Sequence, residues 1–172
     1  MKKILILMCV GIVLFPCFSY AEGELAANAK SAILIDVNTG TVIFEKNMNE
    51  RVAVASLTKM MSQLLILENI DNGSLKWDEV IKVSSNAAGY GGTQIYLQPG
   101  EEMTVKDLMK GISMASANDA TVALAERIAG TEENFVKMMN DRAKELGLKN
   151  TNFVNCTGFD EEGAYSTAYD MS

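Results

Sequence analysis

Two β-rich runs open the foldable part of this chain, and segments of helical period dominate the rest of it. Residues 31–36 (Ser-Ala-Ile-Leu-Ile-Asp) and 41–45 (Thr-Val-Ile-Phe-Glu) flank Val37-Asn38-Thr39-Gly40, whose Asn and Gly supply the backbone conformations of a hairpin turn. From Leu57 the apolar residues recur at Leu57, Met60, Met61, Leu64 and Leu65, which predicts a helix buried on that face and ended by Asp71-Asn72-Gly73. Residues 77–83 are short and mixed, Ser84-Ser85-Asn86 reads as a turn, and residues 89–92 read as a loop. Thr104, with Asp107 three positions on, predicts a capped helix start. An alanine-rich helix is expected over 119–129, stopped by Gly130. Thr131 caps a further helix expected to bury Phe135, Met138, Met139 and Leu146 before Gly147. Residues 166–172 read as the capped first turn of one more helix. A hairpin ahead of several helices makes the expected fold class α/β (α+β), in a single domain without repeats or linkers.

The first 21 residues are expected to be a signal peptide rather than part of the fold. Lys2 and Lys3 precede an apolar stretch over 4–18, and Ser19-Tyr20-Ala21 offers a small residue for cleavage after Ala21. That stretch is too short to span a bilayer comfortably. Cys17 comes after Leu14-Phe15-Pro16, a poor lipoprotein site. With Lys2 and Lys3 gone, thirteen basic residues face 22 acidic ones, a balance of −9. So acidic a chain has no footprint for nucleic acid. Cys9 and Cys17 leave with the leader, so Cys156 stands alone and no intramolecular disulfide can form.

There is no histidine anywhere in the sequence. That excludes a Ser-His-Asp triad and an H-E-x-x-H zinc site. Ser56-Leu57-Thr58-Lys59 places a hydroxyl and an amine one helical turn apart, leaving lysine as the residue that can serve a serine as base. With 11 serines and 12 lysines in 172 residues, about 0.8 such spacings arise by chance, so the tetrad alone also fits a helix N-terminus capped by Ser56.

The flanks change that balance. Ser116-Ala117-Asn118 joins two helical segments, where a hydroxyl and an amide can face a cleft. Ala55 to Met61, Gln98-Pro-Gly-Glu-Glu-Met-Thr-Val105 with Asp107-Leu108, and Ala115-Ser-Ala-Asn-Asp-Ala120 belong to one wording. Leu124-Ala-Glu126, Phe135-Val-Lys-Met-Met-Asn140 and Tyr165-Ser-Thr-Ala-Tyr-Asp170 extend it. From about residue 28 onward the chain resembles the D-alanyl-D-alanine carboxypeptidases, the low-molecular-mass penicillin-binding proteins. The resemblance implies the penicillin-recognising (β-lactamase/transpeptidase-like) fold, an antiparallel sheet with a helical subdomain. It implies a serine-type carboxypeptidase that removes the terminal D-alanine of peptidoglycan stem peptides.

By that resemblance Ser56 is the nucleophile, Lys59 its base, Ser116 a proton relay, and Asn118 the residue that holds the substrate peptide and orients Lys59. No metal or cofactor is implied; β-lactams are implied as covalent inhibitors. The family's third motif, Lys-Thr-Gly, does not occur in this sequence. On this reading residues 22–172 are the N-terminal part of the catalytic domain, with the third-motif strand, a C-terminal domain and an amphipathic membrane anchor beyond residue 172. Export and action in the cell envelope are the corresponding expectations. A class A β-lactamase is the alternative enzyme, but it carries S-D-N where this chain has Ser116-Ala117-Asn118, and no E-x-x-L-N segment lies downstream. A truncated non-catalytic product is the third reading.

Overall fold

A computed structural model describes residues 25–172; the expected signal peptide, residues 1–21, lies outside them. β1 (Ala32–Ile35) and β2 (Val42–Lys46) form an antiparallel hairpin in which Ala32 faces Lys46 and Ile35 faces Val42 across a register irregularity. The turn is fixed by Asp36, whose Oδ1 accepts the Asn38 and Thr39 N–H groups and the Thr39 hydroxyl. A 3₁₀ turn (Ala55–Thr58) then runs straight into α1 (Lys59–Asp71). β3 (Val80–Lys82) pairs antiparallel with β4 (Glu102–Thr104), and the short helix α2 (Ser85–Ala88) lies between them in sequence. Helices α3 (Val105–Ala115), α4 (Asn118–Ala129) and α5 (Glu132–Glu145) complete the order.

The caps work as local chemistry dictates. Thr104 Oγ1 accepts the Asp107 N–H at the start of α3, and Thr131 Oγ1 accepts the Asn134 N–H at the start of α5. α4 is the spine of the core, buried along Asn118 to Ala125 and packed against α1, α2, α3 and α5. Ala120, Ala123 and Ala125 leave room for that close approach, and Ile66, Leu108, Phe135 and Met139 fill the space around them.

The structure corrects several expectations. α1 is a helix as expected, but its buried face is Lys59, Met61, Ser62, Leu65 and Ile66. Leu57 and Met60 are 52% and 51% exposed. The helix is rotated because two polar side chains, Lys59 and Ser62, turn inward to backbone acceptors, which a hydropathy pattern does not register. On α5, Phe135 and Met139 are buried with Ala143, whereas Met138 is half-buried and Leu146 is exposed. Ser84-Ser85-Asn86 is no simple turn: Ser84 Oγ accepts the Ala87 N–H and caps α2. Near the chain's end Ser166 pairs with Val52 in a β-bridge, and Thr167, not Ser166, accepts the Asp170 N–H to start the final turn.

Candidate active site

The 3₁₀ turn holds Ser56 under local strain. Ala55, directly before it, has φ +45°, a conformation unfavourable for a residue with a Cβ. Gly158 is what presses on this turn. A Cβ at position 158 would stand 1.8 Å from the Ala55 carbonyl oxygen and 2.9 Å from Thr58 Oγ1, and Gly158 itself has φ +76°. Only glycine fits so close an approach. The turn's entry residue, Val54, and the residue before α1, Thr58, make no side-chain capping bonds. Ser56 is not used as a cap; its exposed hydroxyl stands 3.1 Å from Lys59 Nζ.

Lys59 is only 3% exposed. Its Nζ donates to the Thr157 carbonyl at 2.7 Å, and no carboxylate among the described residues partners it. Burial pulls the lysine below its ordinary pKa of 10.5, because the charged form loses hydration that a neutral carbonyl and a hydroxyl replace only in part. Among the described residues the titratable side chain that acts on it is Cys156, and burial pushes that thiol up, with Glu132 adding to the effect, so it stays neutral. Three residues along α1, Ser62 Oγ donates to the Cys156 carbonyl at 2.6 Å. One face of α1 is thus tied to two consecutive carbonyls of a loop nearly a hundred residues away.

Ser116 sits at the break between α3 and α4 with φ +54° and ψ +37°, half-buried. A non-glycine residue held in the left-handed region, between two rigid helices, is positioned rather than relaxed. Ser113, one turn earlier, donates to Gln63 Oε1 at 2.8 Å and ties the end of α3 to α1. Asn118 opens α4. Its Nδ2 donates to the Gly91 carbonyl at 2.8 Å and its backbone N–H to the Thr93 carbonyl at 2.7 Å. The next residue, Asp119, is fully buried and accepts the Ile95, Leu97 and Ala120 N–H groups. The 91–97 segment is therefore laced across the N-terminus of α4. Gly92 is needed there, since a Cβ would come within 2.6 Å of Asn118 Nδ2.

Among the described residues, Lys59 hydrogen-bonds to Ser56 and Thr157. The Asn118 amide nitrogen is on Gly91, and the lysine's main holder is a carbonyl that sequence reasoning did not single out. Asn155-Cys156-Thr157-Gly158 carried one usable signal, an asparagine and a glycine three apart in a non-helical stretch. Asn155 Oδ1 indeed accepts the Gly158 N–H at 2.7 Å and folds the loop on itself. Nothing in the sequence marked Tyr90 or Glu132, which support that loop from behind.

A family model described as D-alanyl-D-alanine carboxypeptidase (peptidase S11) matches residues 19–172. The chain is 54% identical over 180 residues to D-alanyl-D-alanine carboxypeptidase DacF of Bacillus subtilis, covering 100% of this chain and 46% of that protein. It is 39% identical to DacA of Escherichia coli, over 84% of this chain and 38% of that one. Among solved structures, the D-alanyl-D-alanine carboxypeptidase DacD from Francisella tularensis superposes with a TM-score of 0.82 at 42% identity, over 84% of this chain and 35% of that chain. Penicillin-Binding Protein D2 from Listeria monocytogenes, in its ampicillin-bound form, superposes at 0.74 and 34% identity, over 83% of this chain and 58% of that one. The chain thus spans about half the length, or less, of these curated relatives, and the expected mixed fold of the penicillin-binding carboxypeptidases is the one it has. By its sequence and its fold, this chain belongs to the D-alanyl-D-alanine carboxypeptidase family.

Proposed function

We propose that the protein is a serine-type D-Ala-D-Ala carboxypeptidase acting on peptidoglycan stem peptides, with Ser56, Lys59 and Ser116 as catalytic residues and Asn118 binding substrate. One observation carries the reading: the Lys59 amine is buried, without an anionic partner among the described residues, 3.1 Å from the Ser56 hydroxyl. An amine so placed holds a free lone pair more often than the roughly one molecule in 2,500 expected of an ordinary lysine at pH 7.

The neutral amine keeps an N–H on the Thr157 carbonyl and takes the Ser56 proton on its lone pair. Ser56 Oγ bonds to the carbonyl carbon of the penultimate D-alanine. Collapse of the tetrahedral intermediate breaks the peptide C–N bond, and the amine of the departing D-alanine receives a proton through Ser116. Water then cleaves the ester and restores Ser56. The Ser56 N–H, in the first turn of the 3₁₀–α1 unit, lacks an intrahelical partner and is available to the oxyanion. In this reading Asn118, which opens α4, holds the substrate peptide. A β-lactam carbonyl takes the same attack; ampicillin is bound in the Listeria relative.

Residues 1–21 serve as the export signal and residues 22–172 as the N-terminal part of the catalytic domain, with action outside the cytoplasm in the cell envelope. The test is covalent labelling of the intact protein by a fluorescent penicillin, together with D-alanine release from a stem-peptide mimic. Both are expected in the wild type, and both are lost in Ser56→Ala. Labelling that persists in Ser56→Ala overturns the assignment.

A further inference from the structure

The loop that holds Lys59 is itself held by a side chain from α5. Glu132 Oε1 accepts the Cys156 N–H at 3.0 Å and the Tyr90 hydroxyl at 3.1 Å. Thr157 Oγ1 lies 3.3 Å from the same Tyr90 hydroxyl. The peptide unit pinned by Glu132 leads into the two carbonyls on which Ser62 and Lys59 rest, at 2.6 and 2.7 Å. Resting on the proposed carboxypeptidase function, we infer that Glu132 is a positioning residue for the Ser56–Lys59 pair, acting through Tyr90 and the Cys156–Thr157 backbone.

The reason lies in what an uncharged amine can do. A neutral Nζ has two N–H bonds and one lone pair. Where the Thr157 carbonyl captures an N–H fixes where the lone pair points. A loop free to drift by an ångström leaves the lone pair misaimed, and misplacement of that size costs about 10²-fold in rate. A drifting loop also lets water reach Nζ and returns the lysine towards ordinary basicity. Tyr90 is suited to its link: burial, with Glu132 and Cys156 adding to it, keeps its phenol protonated and hence a donor. The bland alternative is that Glu132 merely serves the N-terminus of α5, where acidic residues are favoured. Its neighbour Glu133 occupies the same turn and pairs outward with Lys137, so that duty does not require Glu132 to point at the loop.

Three titratable groups stand in the network around Lys59: Cys156, Glu132 and Tyr90. Cys156 acts on the lysine, and Glu132 acts on Cys156 and Tyr90 but is not among the groups that shift Lys59. Glu132→Gln removes the same charge while keeping an acceptor oxygen at the loop, so it separates a charge effect from a loop effect. A pH profile moved in Glu132→Ala and not in Glu132→Gln reports the loop.

The experiment measures the rate of acylation by a fluorescent penicillin from about pH 6 to about pH 10 in the intact protein, with Ser56→Ala as control. Glu132→Ala is expected to lose about 10²-fold in acylation at neutral pH and to shift the rising limb of its profile to higher pH. Glu132→Gln keeps an acceptor oxygen at the same point and is expected to recover most of the rate with an unshifted profile. Tyr90→Phe keeps the ring, removes the hydroxyl, and is expected to change the profile in the same direction as Glu132→Ala. It serves alone if Glu132→Ala does not fold. A wild-type rate and profile in Glu132→Ala, or in Tyr90→Phe when it stands alone, overturns the positioning role while leaving Ser56 as nucleophile. A lowered amplitude with an unchanged profile also overturns it, since that is the mark of a structural residue. Labelling of Ser56→Ala removes the reading on which the inference rests.

Discussion

An amine shut away from water with only neutral partners makes the charge state of Lys59 a property of the fold around it. Its proton affinity is lowered in the folded chain, so the unfolded chain binds the proton more readily between the depressed value and 10.5. Stability must therefore rise with pH across that window, and the penalty of the buried charge is fully present below it. Cys156 works in the opposite sense at the alkaline end. Its thiol is raised well above 9.0 in the folded state, so stability falls as pH climbs past the unfolded value. Comparing wild type with Lys59→Met isolates the lysine. The substitution is expected to match or exceed wild-type melting temperature near neutral pH, with the gain shrinking as pH rises, while acylation is lost. A melting temperature lowered by the same amount at every pH would refute the argument. Gly158→Ala tests the other side of the site. Its Cβ would overlap the Ala55 carbonyl, and its backbone at φ +76° disfavours any side chain. Expected are a loss of about 1–3 kcal/mol in urea unfolding and a displaced Ser56 that labels far more slowly.

The elements repeat this division between local and distant causes. Thr104 caps α3 through its own hydroxyl, so Thr104→Ala is expected to cost about 1 kcal/mol in a denaturant titration, with acylation kinetics unchanged. Asp119 is different in kind, because its carboxylate gathers the 91–97 segment onto α4. Asp119→Ala leaves those N–H groups without acceptors. At about 1–3 kcal/mol for each buried donor, it is expected to destabilise more than the lost cap and to weaken substrate binding as well. Legibility in the sequence divides along the same line. The hairpin, the threonine caps and the Gly130 and Gly147 stops were readable because turn and cap chemistry act over three or four residues. The Ser56–Lys59 proximity was readable for the same reason, being one helical turn. The buried face of α1 was not, since Lys59 and Ser62 face inward to carbonyls 98 and 94 residues away. Leu146 was misjudged too: helical spacing says which residues share a face, but not where the neighbouring element ends.

At the scale of the whole molecule, the pair is completed by distant chain. Lys59 meets Thr157 across 98 residues, Arg51 meets Asn150 across 99, and Val52 bridges to Ser166. The helices α3, α4 and α5 lie between and can form from nearby contacts, whereas these closures carry the greatest loop entropy and come late. Refolding of the intact protein should therefore show helical circular dichroism first and penicillin labelling only afterwards. Simultaneous recovery would count against an ordered assembly. Docking of the 155–158 loop thus acts as a timer. Before it arrives, Lys59 is an ordinary hydrated ammonium and, in the proposed mechanism, Ser56 has no base. A chain still emerging or half refolded would present its serine to a passing β-lactam and leave it untouched, so that susceptibility begins only when the protein is ready to work.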